Sequence, residues 1–220
     1  MLTRRQLLGL GVGWPMLRFA YGHDIWLTPE PPALPTVSLV QRPGEWVNAQ
    51  FTEEVRLSNL TELRRSDLQW VNSPDLAPDP SAWHIASGMR RTPMDNTYWV
   101  AETRADLEAL VKWTQDYSRW ILEFYRMPLA VSDPDERDCE DWVSLIWSLL
   151  RWVFRYNSVG LVSDIWSAHS YLLALVAYRS GEPRDYLKGE FFIVEATSGE
   201  VFTMEEKDSR YGLLSGQMWF

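Results

Sequence analysis

Cys139 stands in Asp138-Cys139-Glu140-Asp141, at the head of an apolar segment with helical spacing, and it is the only cysteine in the chain. About thirty residues on, His169 opens a strand-like run, and Glu195 lies inside a second one. A thiol, an imidazole and a carboxylate in that order suit acyl transfer. The thiolate attacks an acyl carbon, the imidazole moves the proton, and the carboxylate holds the imidazole in one tautomer. Each residue alone is ordinary, since a lone cysteine is most often a small buried hydrophobe. The three together, on helix, strand and strand, point to a thiol-dependent hydrolase or acyltransferase.

The elements that must position them follow from periodicity. Thr103 and Asp106 resemble a capping box. Leu107, Leu110, Val111, Thr114, Tyr117, Ile121 and Phe124 then recur at helical spacing until Pro128 stops them. Ser132-Asp133-Pro134-Asp135 is a turn. Asp138 caps a second helix whose Val143, Ile146, Leu150 and Val153 share a face with Cys139. Ser158–Asp164 reads as a strand, Asp164–Ala168 as a hairpin turn, and Ser170–Tyr178 as a second strand. Arg179–Gly189 is a polar loop and Glu190–Ala196 a third strand. Thr197-Ser198-Gly199 turns the chain, and Val201-Phe202-Thr203 continues the sheet. A helix pair followed by an antiparallel sheet is an α+β order. Alternation sets Glu195 on the face of Phe191 and Ile193, where a carboxylate needs a partner; His169 on an adjacent strand supplies one.

The electrostatics pull both ways. A helix N-terminus and a nearby imidazolium favour the thiolate, whereas Asp138, Glu140 and Asp141 crowd it with negative charge and raise its pKa. Three carboxylates in four residues are well tolerated around a divalent cation, and oxygen ligands suit calcium. The simpler reading is that acids in a first turn complement the helix dipole.

The chain also resembles a known family. Asp138-Cys139-Glu140-Asp141-Trp142 is similar to the Asp-Cys-Asp-Asp-Phe motif of the papain-like C-terminal domain of fungal agglutinins and its bacterial and phage relatives. Tyr156–Val162 and Asp164–Tyr171 resemble that family's segments leading into its catalytic histidine, and Phe192–Gly199 its strand bearing a catalytic glutamate. Bacterial transglutaminase-like cysteine proteinases share a Cys-Glu-Asp start, with aspartate as the third member. The resemblance covers about residues 100–205. It implies a papain/transglutaminase-like cysteine peptidase, calcium-dependent in some members, with Cys139 as nucleophile, His169 as base and Glu195 as orienter. It implies Glu140 and Asp141 as calcium ligands, and Asp164 joins them from the turn before His169. The Cys139 N–H would serve the oxyanion hole, with Gln115 as one further donor. The family has aspartate where this chain has Glu140, and glycine where it has Ala168. No sugar-binding trefoil is recognisable. The alternatives on the same fold are a transglutaminase-like acyltransferase and a catalytically silent cell-envelope binding module.

The rest of the chain sets the context. Arg4-Arg5, the Gly-rich run Gly9–Trp14 and Ala20-Tyr21-Gly22 read as a twin-arginine export signal over residues 1–22, hence a periplasmic or secreted protein. Residues 23–100 read as an irregular region, Pro-rich from Thr28 to Gly44 and with short strands or helices after it, and residues 101–220 as the catalytic domain. The 220 residues suit one sizeable core, and a 14% aromatic content is ample to fill it. No run of eighteen apolar residues appears, so no spanning helix is expected. The formal charge of −9 would fall to −12 without Arg4, Arg5 and Arg18. Such a body repels nucleic acid and anionic membranes, which leaves a peptide or protein as the expected partner.

Overall fold

The computed structural model describes residues 30, 32–63, 97–124, 138–154, 156, 158–179 and 187–220. The export signal read over residues 1–22 and the turn at 132–135 lie outside them. Among the described residues the architecture is α+β: four helices and an eight-stranded mixed sheet.

Strands β1 (Leu39–Pro43), β2 (Asn59–Leu63) and β3 (Thr97–Ala101) come from the first half of the chain, with helix α1 (Gly44–Leu57) between β1 and β2. The second half supplies α2 (Arg104–Phe124), α3 (Cys139–Phe154), β4 (Val159–Asp164), β5 (His169–Val176), β6 (Glu190–Glu195), β7 (Glu200–Thr203), α4 (Met204–Tyr211) and β8 (Ser215–Trp219).

Strand β5 is the centre. Every residue after His169 in it is buried, as a nearly unbroken apolar run flanked on both faces should be. One edge takes β6 and then β7, antiparallel. The other takes β4, with Asp164 opposite His169 at the hairpin end. The Leu175 and Ala177 N–H groups, two apart and so directed to one edge, bond the Ser158 and Ala101 carbonyls. That edge therefore passes from β4 to β3 where β4 begins. Strand β8 lies antiparallel beside β4 and parallel to β2.

One expectation is corrected. The sheet is mixed rather than antiparallel, because β2 pairs parallel with β8 and β3 parallel with β5. Within the N-terminal region, read as irregular with short strands or helices, residues 39–63 and 97–100 supply strands of this sheet and a 14-residue helix. Pro43 concealed β1. Among the described residues it ends a strand that pairs only with β3, an edge position where a missing N–H is tolerated. In α1, Val47 and Phe51 recur four apart and are both buried; Phe51 meets Phe191 edge-to-face and stacks on Phe220.

The helices cover both faces. Helix α1 and helix α4 lie on the side of Phe191, Ile193, Tyr171 and Asp164, as Phe51 and Lys207 show. Helices α2 and α3 lie on the other side. Arg104 sits over the Phe192 ring, Trp147 donates to the Val159 carbonyl, and Trp113 meets Phe154 edge-to-face between the two helices. Their starts are built as the spacing predicts. Thr103 and Asp106 bond reciprocally, the Asp106 N–H to Thr103 Oγ1 (3.2 Å) and the Thr103 N–H to Asp106 Oδ2 (3.1 Å). Asp138 Oδ1 accepts from the Glu140 and Asp141 N–H groups at 3.0 and 3.2 Å. An N-cap of this kind stabilises a helix by about 1 kcal/mol.

Candidate functional site

His169 and Glu195 are together. His169 Nε2 lies 2.6 Å from Glu195 Oε2, the spacing of a charge-assisted hydrogen bond. Alternation accounts for it. Tyr171 falls opposite Glu195 in the β5–β6 register, and His169, two residues earlier, shares Tyr171's face. The two rings sit edge-to-face, 4.7 Å apart. The other Glu195 oxygen accepts from the Thr197 N–H at 2.9 Å, which fixes the carboxylate at the start of the turn. Glu195 is buried and the imidazole partly exposed. A carboxylate on Nε2 makes that nitrogen the donor and leaves Nδ1 to accept or release a proton.

Cys139 opens α3 as predicted and is partly exposed. Its polar neighbours are the N–H and hydroxyl of Ser170, the residue after His169. Burial pushes the thiol above its ordinary range. The Ser170 bonds act the other way, and the charges of Asp138 and Glu140 add to the upward shift. Burial and the two carboxylates thus outweigh the Ser170 bonds at the thiol. Ser170 follows His169 in β5, and the imidazole itself bonds Glu195.

The hairpin carrying His169 rests on a buried ion pair that the sequence did not suggest. Lys207 Nζ lies 2.8 Å from Asp164 Oδ2, with both side chains fully buried. Lys207 also donates to the Gly212 carbonyl (2.8 Å) and lies over the Tyr171 ring. Asp164 accepts further bonds from Ser167 Oγ (2.6 Å) and the Ser215 N–H (3.1 Å). One carboxylate thereby ties the β4–β5 turn to α4 and to the start of β8. Asp164, read above as a calcium ligand, is committed to this pair and lies on the face opposite α3. Glu140 and Asp141 occupy the first turn of α3 with their N–H groups on Asp138. Among the described residues no group of three or more His, Cys, Asp or Glu is arranged to hold a metal ion.

Gln115, named above as an oxyanion donor, is used otherwise. Its Nε2 donates to the Ala196 carbonyl at 2.7 Å, and its Oε1 fills the space that a Cβ on Gly199 would need. It clamps the β6–β7 turn, in which Gly199 takes φ 78°. At Ala168, where the resembled family has glycine, φ is 48°. This left-handed conformation costs a residue with a Cβ about 1–2 kcal/mol, a physical reason for glycine there. A groove of about 530 Å³ runs between α2 and the β6–β7 turn, lined by Arg104, Lys112, Arg119 and Arg210 together with Glu108 and Glu200. It includes neither Cys139 nor His169.

Comparison with known proteins returns no matching family model, curated protein or solved structure. No described helix is long and apolar enough to cross a membrane.

Proposed function

We propose that the protein is a thiol-dependent hydrolase of the papain/transglutaminase-like type, acting on peptide amides through an acyl-enzyme on Cys139. The observation that carries this reading is the 2.6 Å His169–Glu195 bond on the strand whose next residue touches the thiol. In this mechanism Glu195 holds His169 with Nε2 protonated, and Nδ1 takes the thiol proton. A substrate carbonyl displaces the Ser170 contacts from sulfur, and the thiol meets the imidazole at the open end of β5, where His169 is the first residue. His169 then returns the proton to the leaving amine, and water, activated by the same imidazole, releases the acid. The Cys139 N–H at the start of α3 faces the developing oxyanion with the positive end of the helix behind it.

The raised thiol and its Ser170 contacts favour a second reading, a catalytically silent binding module of the same fold. One experiment separates the two. Hydrolysis of a fluorogenic peptide mixture is measured for the wild type and for Cys139→Ala, His169→Ala and Glu195→Gln. The hydrolase reading expects a loss of at least about 10³-fold for the first two, as for members of a unit acting together, and a smaller loss for Glu195→Gln. Acyl-adduct formation at Cys139, followed by mass, accompanies it. Activity untouched by Cys139→Ala, or no turnover and no adduct in the wild type, leaves the silent module.

A further inference from the structure

We infer that Gln115 is a positioning residue: through the β6–β7 turn it fixes the carboxylate of Glu195 and, with it, the tautomer and direction of the His169 ring. Its effect on turnover rests on the hydrolase reading; its effect on the imidazole does not. Every link is a hydrogen bond. Glu195 ends β6 and opens the turn. Its Oε2 bonds His169 Nε2 at 2.6 Å, its Oε1 takes the Thr197 N–H at 2.9 Å, and its main-chain carbonyl takes the Gly199 N–H at 2.7 Å. Carboxylate and turn thus move as one body, and a shift of the turn carries the oxygen that holds the imidazole.

Gln115 holds that body from α2. Its Nε2 donates at 2.7 Å to the carbonyl of Ala196, the residue after Glu195. Gln115 is 5% exposed and Ala196 fully buried, and a bond shielded from water is the stronger for it. Thr114 and Ser118, also buried on α2, bond the carbonyls of Val111 and Thr114 in their own helix. Of the three, Gln115 is the one that reaches out of the helix, and it reaches the turn that carries the orienting carboxylate. Packing does not fix the turn on this side. Thr197 and Ser198 are exposed, and Ser198, Gly199 and Glu200 line the groove of about 530 Å³ between the turn and α2. An imidazole displaced by about an ångström misses its reacting atoms, a fault on the order of 10²-fold in rate.

The test reads the imidazole directly. Nitrogen-15 spectra of the full-length protein report which ring nitrogen of its three histidines carries the proton, and His169→Ala identifies the resonances of His169. In the wild type the neutral ring should be protonated at Nε2 alone. Gln115→Met keeps a long, unbranched side chain and removes the donor. It should turn His169 into a mixture of the two tautomers and lower kcat toward peptides about tenfold, with KM changed less than about twofold. Gly199→Ala displaces the same amide from the side of the turn and should reproduce both changes, which covers a Gln115→Met chain that does not fold. Thr114→Val removes a buried bond within α2; it should lower stability and leave tautomer and kcat as in the wild type. A single Nε2–H tautomer in Gln115→Met and Gly199→Ala, or the same mixture in Thr114→Val, overturns the inference. Turnover by the wild type keeps the two readings apart. Thiol-dependent cleavage with an unaltered tautomer in Gln115→Met refutes the positioning role alone. A changed tautomer in a protein that cleaves nothing refutes the hydrolase and keeps the role.

Discussion

Replacing Lys207 with Met tests the physical account of the His169 hairpin. The substitution keeps an unbranched side chain one atom shorter and removes the ammonium. It strips Asp164 of its cation at 2.8 Å and the Gly212 carbonyl of its donor. Removing one partner of a buried pair costs about 3–5 kcal/mol. The Ser167 and Ser215 bonds that remain on Asp164 keep the cost near the lower end, and the orphaned carbonyl adds about 1 kcal/mol. The expected loss at pH 7 is about 4 kcal/mol, a large share of a typical 5–15 kcal/mol. It corresponds to a fall in Tm of about 8–16 °C for a chain of this size.

The pH dependence is the sharper check. Burial by itself would raise the Asp164 pKa, but the Lys207, Ser167 and Ser215 bonds outweigh it and hold the carboxyl below the ordinary aspartate range. Its contribution is therefore complete above about pH 4 and is lost as pH falls through the lower folded value. In Lys207→Met burial dominates, the folded pKa rises above the unfolded one, and stability is lost as pH rises toward neutrality. The difference between variant and wild type should shrink to about 2 kcal/mol or less near pH 4. Urea unfolding followed by near-UV circular dichroism at the two pH values measures it. Asp164→Asn combined with Lys207→Met should be less damaging than Lys207→Met alone. A loss under about 1 kcal/mol at pH 7, or one independent of pH, would refute the reasoning.

Two further predictions concern the site's supports. Gly199→Ala should cost about 2–3 kcal/mol in urea unfolding, combining a left-handed backbone with displacement of the Gln115 amide from the Ala196 carbonyl; adding Gln115→Ala should recover the steric part, and a neutral Gly199→Ala would show the clamp to be slack. The pH midpoint for alkylation of Cys139 by iodoacetamide should lie above that of an ordinary thiol, rise further in Ser170→Ala and fall in Glu140→Gln, since a donor is lost in the first and a negative charge in the second; identical profiles for wild type and Ser170→Ala would place the hydroxyl away from the sulfur.

Much of the second half of the chain was legible because its signals are local. The Thr103–Asp106 box, the Asp138 cap, the helical spacing of Leu107 to Phe124 and the alternation in Phe191–Glu195 each depend on neighbours within a few residues. The α+β order follows from them, and so does the meeting of His169 with Glu195, because neighbouring antiparallel strands leave few registers that keep apolar residues on buried faces. What the tertiary structure decided involves partners far apart in sequence. Strands β1 to β3 join the sheet through pairings across 54 to over 150 residues, which no local periodicity encodes. Lys207 reads as one charge on a polar helix until the fold seals it against Asp164, 43 residues away. The thiol's neighbour was decided in the same way. Sequence placed Cys139 at a helix start and His169 at a strand start, but only the packing of α3 on β5 sets the sulfur against Ser170, the residue after the imidazole that bonds Glu195.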